Sequence, residues 1–256
     1  MTVQPVQAPE PIPSSLDHRA ERVDLAAAFR WAVRLDFHEG IANHFSLAVS
    51  PDGRTFLVNP FGRHFARIRA RDLVLLDSDV SGDSAPDPRV EATAWCIHGP
   101  IHRLAPQARC ILHTHMINAT VLSCLADSSL PPIDQNTMRF YDDVAVDDGF
   151  GGMAFTEAEG ERLAGVLGDK RVLVMGNHGA LVTGDSVADA FDRLYYFEKA
   201  CQTVVAAYGT GRELRIAPDA VARHTAAEWE TYHDAALLHF NELKAMLDLS
   251  EPDYSD

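Results

Sequence analysis

Two histidines two residues apart, His113 and His115, directly follow the apolar segment 109–112. Side chains alternate between the two faces of a β-strand, so both imidazoles are expected on the same side where this strand ends. Two neighbouring imidazoles suit zinc or another borderline divalent metal. Random placement of 12 histidines already yields about 0.6 such pairs. The pair alone therefore leaves two interpretations open, a metal site or two hydrogen-bonded structural histidines.

A third histidine, His178, also comes directly after a predicted buried strand, 171–175. Gly176 and Gly179 lie on either side of it and would allow the backbone to approach its neighbours closely. Three protein ligands with one open coordination position are typical of a catalytic zinc site rather than a structural one. His178 is therefore the candidate third ligand of a catalytic metal.

The carboxylate best placed to act with these histidines is Glu91, near the start of the helix predicted before the His113 strand. Its expected role is the transfer of a proton as general acid or base. The alternative role is a favourable negative charge at a helix N-terminus. His98 and His102 lie on the same helical stripe as Glu91, and for them we expect polar packing at a helix face or a subunit contact.

The charge balance excludes whole classes of partner. With 37 acidic and 22 basic residues, the chain carries a formal charge of -15, and its pI is about 5.1. Such a surface repels phosphate backbones, so we expect neither a nucleic-acid nor a membrane partner. A small anionic substrate is compatible with this charge, because a metal or a helix N-terminus reverses the field inside a pocket.

Cysteine usage and the N-terminal sequence predict a cytoplasmic protein. The four cysteines include no Cys-x-x-Cys pair, so we expect buried thiols in a reducing compartment rather than a disulfide scaffold. Residues 1–15 have neither a basic start nor an apolar stretch, unlike a signal peptide. No apolar run reaches the roughly 18 residues that a membrane span requires.

Helices and strands must position the candidate site. A proline-rich stretch predicts an extended arm over residues 1–20, followed by one domain over residues 21–256. Apolar periodicity and turn residues predict the remaining elements, and their order indicates a single α/β or α+β domain. The expected helices cover 25–35, 91–104, 116–125, 156–168, 186–207 and 226–248, and the expected strands cover 45–49, 55–58, 73–76, 109–112 and 171–175.

Taken in series, several segments resemble the class II aldolase/adducin superfamily, in its adducin-head-like bacterial branch. Their order and approximate spacing match the family across residues 25–210. The matching segments are 40–46, 56–62, 91–98, 101–106, 111–115 and 172–179.

The resemblance implies a three-layer α/β/α fold of the class II aldolase type, with a largely antiparallel central sheet and assembly as a homotetramer. It implies a divalent metal held by His113, His115 and His178, most often zinc, with manganese, cobalt or iron as alternatives. Asn43 and Gly62 match positions at the substrate-binding end of the family's pocket. The implied substrate is a small anionic hydroxy- or keto-compound.

Two departures from the family pattern concern the reaction. Sugar-phosphate aldolases carry their catalytic carboxylate nineteen residues before the first histidine of the pair, and here that position is Ala94. Glu91 lies about one helical turn earlier and is the candidate substitute. The serines that bind phosphate in those aldolases correspond to Ala92 and Thr93, which argues against a phosphorylated sugar.

From residues and resemblance together we expect a metal-dependent lyase of aldolase or decarboxylase type. It would cleave a C–C bond through a metal-stabilised enediolate or enolate, with Glu91 moving the proton. One alternative is a non-catalytic, adducin-like scaffold, since a fold does not dictate catalysis. The other is dehydratase or epimerase chemistry on the same metal site.

Overall fold

The computed structural model describes residues 17–256 apart from residue 233, and within them the chain forms seven strands and eight helices. The strands are β1 (His44–Ala48), β2 (Thr55–Val58), β3 (Val74–Asp77), β4 (Cys110–Thr114), β5 (Val144–Asp147), β6 (Val172–Met175) and β7 (Gly179–Gly184). The helices are α1 (Arg19–Arg34), α2 (Ala92–Leu104), α3 (Ile117–Ser123), α4 (Gln135–Arg139), α5 (Glu157–Leu167), α6 (Val187–Gly209), α7 (Asp219–Glu230) and α8 (Ala235–Ser250).

All seven strands form one sheet with the order β3-β2-β1-β4-β7-β6-β5. Every neighbouring pair is antiparallel except β5 and β6, which are parallel. The central strand β4 lies between β1 and β7, and its pairing with β1 places His113 opposite His44. The predicted largely antiparallel sheet is confirmed.

Helices cover both faces of this sheet. On one face α1, α3, α6 and α8 bury the larger apolar cluster, which includes Phe45 and Leu47 of β1. On the other face α2 and α5 bury a second cluster. His44 and Ser46, which alternate with those apolar residues along β1, contact α2. The predicted three-layer α/β/α architecture is confirmed, and the polar residues of β1 face the layer formed by α2 and α5.

Local sequence signals locate most of the elements correctly. The hairpin of β1 and β2, the helix over α2 and the strands β3, β4 and β6 all lie where the pattern predicts them. Thr156 caps α5 by accepting a hydrogen bond from the Glu159 N–H, and Ser186 caps α6 in the same way through the Asp189 N–H. These caps satisfy N–H groups that have no partner inside the helix.

The single helix expected over 226–248 is wrong, because α7 and α8 are separate helices. α7 ends at Glu230, where the Thr231 hydroxyl donates to the Glu228 carbonyl, so this hydroxyl takes over a carbonyl at the helix end. The two helices also pack in different places: α7 contacts α4, while α8 contacts α6 and α1. No element was predicted at β5, β7 or α4.

Three further predictions concern the N-terminal arm, the cysteines and membrane-spanning helices. Residues 1–16 of the predicted arm lie outside the described residues, and α1 already begins at Arg19. Three cysteines are buried as expected, but Cys124 is exposed, which corrects that expectation. No helix within the described part of the chain is long and apolar enough to cross a membrane.

A glycine permits the close approach of α2 and α5. A Cβ atom added at Gly160 would lie 1.8 Å from the Cys96 carbonyl oxygen and 2.8 Å from Cγ of Pro100. Backbone and a proline ring cannot move aside as a flexible side-chain end can, so the helices touch only because this position lacks a side chain. Since α2 carries His98 and His102, this contact also sets the position of their side chains.

We expect Gly160→Ala to lower the free energy of unfolding by about 1–3 kcal/mol, because α2 and α5 must separate. Gly165→Ala is the matched control on α5, since nothing lies within 4 Å of the added methyl group. There the better helix propensity of alanine should stabilise the chain by about 0.5–1 kcal/mol. Urea unfolding of both variants measures the difference. Equal stability of the two variants would contradict the proposed contact.

Candidate metal centre

The three predicted ligands meet at one end of the central strands. His113 lies near the end of β4, His115 follows that strand, and His178 lies in the turn between β6 and β7. Because β4 and β7 are antiparallel neighbours, the end of β4 lies beside the start of β7. The structure thus brings together three residues that are up to 65 positions apart in the sequence (178 − 113 = 65).

Backbone contacts on both sides of His178 fix the turn that carries it. Asn177 adopts a left-handed backbone with φ 57°, and its N–H donates to the Ser123 carbonyl at 2.9 Å. A Cβ atom at Gly179 would lie 2.7 Å from the Thr114 carbonyl oxygen and 2.9 Å from Cδ2 of His115. The close backbone approach predicted from the glycines beside His178 is confirmed at Gly179.

One potential ligand atom from each of the three histidines lies within 4.8 Å of the others. The two Nε2 atoms of His113 and His115 are 3.2 Å apart. Two nitrogens bound tetrahedrally at the usual zinc distance would be about 3.3 Å apart. The spacing of the donor atoms therefore fits a divalent metal of this size.

The hydrogen bonds of the Nδ1 atoms determine which ring nitrogens of His113 and His115 face the middle of the cluster. Nδ1 of His113 donates to the Ala180 carbonyl at 3.0 Å, and Nδ1 of His115 donates to the Glu39 carboxylate. A neutral imidazole carries only one proton, so when both rings are neutral these bonds hold it on Nδ1, and the two Nε2 atoms then face each other as lone pairs. Two facing lone pairs repel unless a cation lies between them, which is the arrangement that a metal site requires.

Burial favours the neutral form of His113 and His178. The side chain of His113 is fully buried, and burial, followed by the nearby His44 and His178, holds its pKa well below the usual value. Burial also lowers the pKa of His178 to about 4, and the neighbouring His115 adds to this effect. Metal ligands must be deprotonated, so these lowered pKa values favour metal binding near neutral pH.

A buried chain of hydrogen bonds continues from the centre into the layer formed by α2. At its far end, Nδ1 of His102 donates to the Ala108 carbonyl at 2.9 Å. Nε2 of His102 then accepts from the Ser46 hydroxyl at 2.7 Å, and that hydroxyl oxygen accepts from Nδ1 of His98 at 2.5 Å. Nε2 of His98 accepts from Nδ1 of His44 at 2.7 Å. One backbone carbonyl thus sets the tautomer of all three histidines.

This chain reaches the metal centre through His44, whose ring lies 4.8 Å from that of His113. The polar packing that we expected for His98 and His102 agrees with their contacts, and both side chains are buried in the core. Sequence reasoning missed His44 and Ser46. Their period-two spacing on β1 was a signal for a polar face, but only the register with β4 shows what that face contacts.

The structure does not bring Glu91 into the three-histidine cluster. Its carboxylate caps α2 by accepting from the Ala94 N–H at 3.1 Å and from the Thr93 hydroxyl. His98, the residue of α2 that reaches toward the centre, lies about 10 Å further along the helix axis. The acid/base role of Glu91 stays a prediction, and its observed contacts are those of a helix cap.

The two predicted substrate-binding residues lie in turns on either side of β1 and β2. Asn43 is buried beside His44; its amide oxygen accepts from the Glu39 N–H at 2.6 Å. Its Nδ2 atom is buried and has no hydrogen-bond partner among the described residues. Gly62 is exposed, with φ +75° and open space where a side chain would be. The substrate-binding role of Asn43 and Gly62 stays a prediction.

The three-histidine cluster opens toward the outside of the subunit. A cavity of about 480 Å³ lies between α6 and the α7–α8 region, lined by Arg139 and Arg193 among others, and it includes none of the three histidines. By contrast, Glu39 beside His115 is 66% exposed, and Phe150, 6.3 Å from the His178 ring, is half exposed. We therefore take the three histidines, and not this cavity, as the candidate functional site.

The chain is similar to known proteins over most of its length. The family model described as "Class II Aldolase and Adducin N-terminal domain" matches residues 23–205. A crystal structure of an aldolase II superfamily protein from Pseudomonas syringae superposes with a TM-score of 0.82 at 34% identity, covering 94% of this chain and 97% of that one.

Two further proteins are similar over nearly the whole chain. The decarboxylase NovR of Streptomyces niveus is 29% identical over 242 residues, which cover 90% of this chain and 89% of that protein. The structure of an L-fuculose 1-phosphate aldolase from Glaciozyma antarctica has a TM-score of 0.78 at 22% identity and covers 96% of both chains. At 22% identity, the similarity to this L-fuculose 1-phosphate aldolase shows the fold alone.

The buried histidine chain predicts a loss of stability in mild acid. Burial lowers the pKa of His102 from 6.5 to about 3 and holds that of His98 well below its usual value. The unfolded chain therefore binds protons below about pH 6.5 that the folded chain cannot bind, so stability falls as the pH falls toward 3. From about pH 7.5 to about pH 5.5, each such histidine should cost about 1.4 kcal/mol.

Urea unfolding at the two pH values measures this slope. His102→Gln should reduce the pH-dependent loss by about 1.4 kcal/mol, whatever its effect on stability at neutral pH. His224→Gln, which replaces an exposed histidine on α7, is the control. A slope that is unaffected by His102→Gln would show that His102 protonates freely in the folded chain.

Proposed function

The chain belongs to the class II aldolase and adducin family, and we propose that it is a metal-dependent lyase acting on a small anionic hydroxy- or keto-acid. The observation that carries the proposal is the cluster of His113, His115 and His178, in which the Nε2 atoms of His113 and His115 lie 3.2 Å apart. A non-catalytic scaffold would have no use for such convergent ligands. Zinc is the proposed metal, because three imidazoles and an open position suit it.

When bound, a divalent cation supplies Lewis acidity, which stabilises the negative charge that develops on the substrate as its C–C bond breaks. The chain's own residues would hold the cation and orient the substrate. The three histidines would hold the cation beside the end of β4. Asn43 offers an N–H donor without a described protein partner, and we assign it to a substrate oxygen. The exposed backbone at Gly62 is the second proposed substrate contact.

Decarboxylation is the better supported of the two C–C cleavages. NovR, whose name denotes a decarboxylase, is similar over 90% of this chain. At the position where the resemblance places the aldolase carboxylate, Ala94 is buried in an apolar cluster with Val90 and Trp95. An apolar wall at this position supplies no acid for aldol cleavage. We therefore propose a carboxy-lyase ahead of an aldehyde-lyase.

We further propose that the active form is a homotetramer. The apolar residues of α6 are used within the subunit, because Phe191 and Phe197 are fully buried. On α8, however, Leu238 and Leu249 remain exposed, and so does Phe155 on the loop that follows Phe150 near the metal centre. Exposed apolar residues of this kind mark contact surfaces between proteins. A second copy of the chain would cover them and close the open side of the site.

Metal content tests the site. Protein purified without chelator should contain about one divalent ion per chain. His113→Ala, His115→Ala and His178→Ala should each remove it or greatly weaken its binding, because a site with three ligands loses its geometry when it loses one. His224→Ala is the matched control, since His224 is exposed on α7. Full metal content in all three ligand variants would refute the assignment of the site.

The reaction is tested on the same preparations. Wild-type protein should release carbon dioxide from at least one member of a panel of hydroxy- and keto-acids, and chelator should abolish this release. The release of an aldehyde instead of carbon dioxide would identify the aldolase-type reaction. A metal-loaded protein that is inert on the panel and on keto-sugars would favour the scaffold function.

The two roles of Glu91 differ in what a substitution changes. From its cap contacts, we expect Glu91→Ala to lower the free energy of unfolding by about 0.5–2 kcal/mol without loss of metal. Glu91→Gln keeps an oxygen acceptor for the Ala94 N–H and should lose less stability. If Glu91 moves the proton, Glu91→Gln should instead reduce turnover by about 10²–10⁴. Unfolding curves, metal content and turnover of the two variants decide between these roles.

A further inference from the structure

We propose that Glu39 is the residue that positions His115 as a metal ligand, an inference that rests on the metal site proposed above. Its carboxylate accepts a hydrogen bond from Nδ1 of His115. Among the residues that the structure describes, no other carboxylate lies within hydrogen-bond distance of a ring nitrogen of His113, His115 or His178.

The position of His115 explains why it requires such a partner. His113 lies within β4, and the Ala180 carbonyl of the neighbouring strand β7 fixes its tautomer. His115 lies beyond the last residue of β4, so its ring nitrogen bonds to no strand carbonyl. Without an acceptor at Nδ1, the proton of the imidazole could occupy either nitrogen, and the ring could turn away. The Glu39 carboxylate keeps the proton on Nδ1 and leaves the Nε2 lone pair for the metal.

A carboxylate also does more than a carbonyl at this place. Its negative charge strengthens the hydrogen bond and raises the basicity of the imidazole toward a metal. It also places one negative charge next to the position where a divalent cation would bind. The surrounding imidazoles are neutral ligands, so Glu39 is the carboxylate that offsets part of the cation's charge through direct contact with a ligand.

Although the Glu39 side chain is largely exposed, its backbone is fixed. The Ala42 N–H donates to the Glu39 carbonyl at 2.9 Å, which closes a turn in which Gly40 has φ +55°. The Glu39 N–H donates to the buried Asn43 side chain at 2.6 Å. The Asn59 side chain in turn donates to the Asn43 carbonyl at 3.4 Å. A turn anchored in the core thus presents the carboxylate to His115.

The topology explains how residues 76 positions apart meet. β1 and β4 are antiparallel, and His44 pairs with His113. The chain that enters β1 therefore lies beside the chain that leaves β4. Glu39 precedes β1 and His115 follows β4, so the sheet register brings them together.

The test is a titration of the chelator-stripped full-length chain with Co²⁺, followed by the visible absorption of the bound ion. Glu39→Ala should bind Co²⁺ about 10–100-fold more weakly than wild type and with an altered absorption spectrum, as expected when an outer partner of a ligand is lost. Glu39→Gln keeps a neutral oxygen acceptor, so it should recover part of the affinity and of the wild-type spectrum. Glu242→Gln removes an exposed carboxylate on α8 and is the control.

The outcomes separate this inference from the metal site itself. If wild type binds Co²⁺, His178→Ala does not, and Glu39→Ala binds it as tightly as wild type, the positioning role is overturned while the site stands. If wild type binds no Co²⁺, both proposals fail. Unequal melting temperatures of wild type and Glu39→Ala would indicate a fold effect, and the comparison between Glu39→Gln and wild type then decides. An unchanged affinity and spectrum in Glu39→Gln would in that case overturn the inference.

Discussion

The antiparallel pairing of β4 with β1 and β7 is the constraint on which the rest of the site depends. It sets His113 opposite His44 on one side, and on the other it brings the Ala180 carbonyl to the ring of His113. The same pairing places the turn with His178 beside the end of β4. A shift of β4 by one residue would turn His113 toward the opposite apolar layer and dismantle every one of these contacts.

The hydrogen bonds within this geometry then determine which ring nitrogen of each histidine carries the proton. A neutral imidazole has one proton, so an acceptor at one nitrogen leaves a lone pair at the other. The Ala108 carbonyl begins such a sequence at His102, and it ends at His44 beside the metal centre. In the low dielectric of the core, each of these neutral bonds is strong, and an unpaired partner would be costly. The buried chain therefore stabilises one arrangement of the layer beneath the site.

The centre is built asymmetrically. His113 and the chain behind it are enclosed between the sheet and α2, where Gly160 allows α5 to pack against α2. His115 and Glu39 lie at the open edge, where a ligand or another subunit can approach. The cluster thus has an enclosed interior half and an accessible outer half.

The amino-acid sequence by itself determined those features that depend on local periodicity and capping. Alternation along a strand placed His113 and His115 on one side, and Ser186 marked the start of α6. His178 was found because a strand and two glycines mark a tight turn. Such signals act over a few residues, so they can be found without knowledge of the fold.

Only the tertiary structure decided which distant groups meet. The contact of Glu39 with His115, and the chain that links His44 to His102, depend on strand register and helix packing. Likewise, the helical stripe that contains Glu91 could not show that its carboxylate caps its own helix. Spacing along the chain specifies direction within one element, whereas contact between elements depends on how whole layers bury their apolar faces. That packing places a carboxylate at His115 and an apolar wall at Ala94.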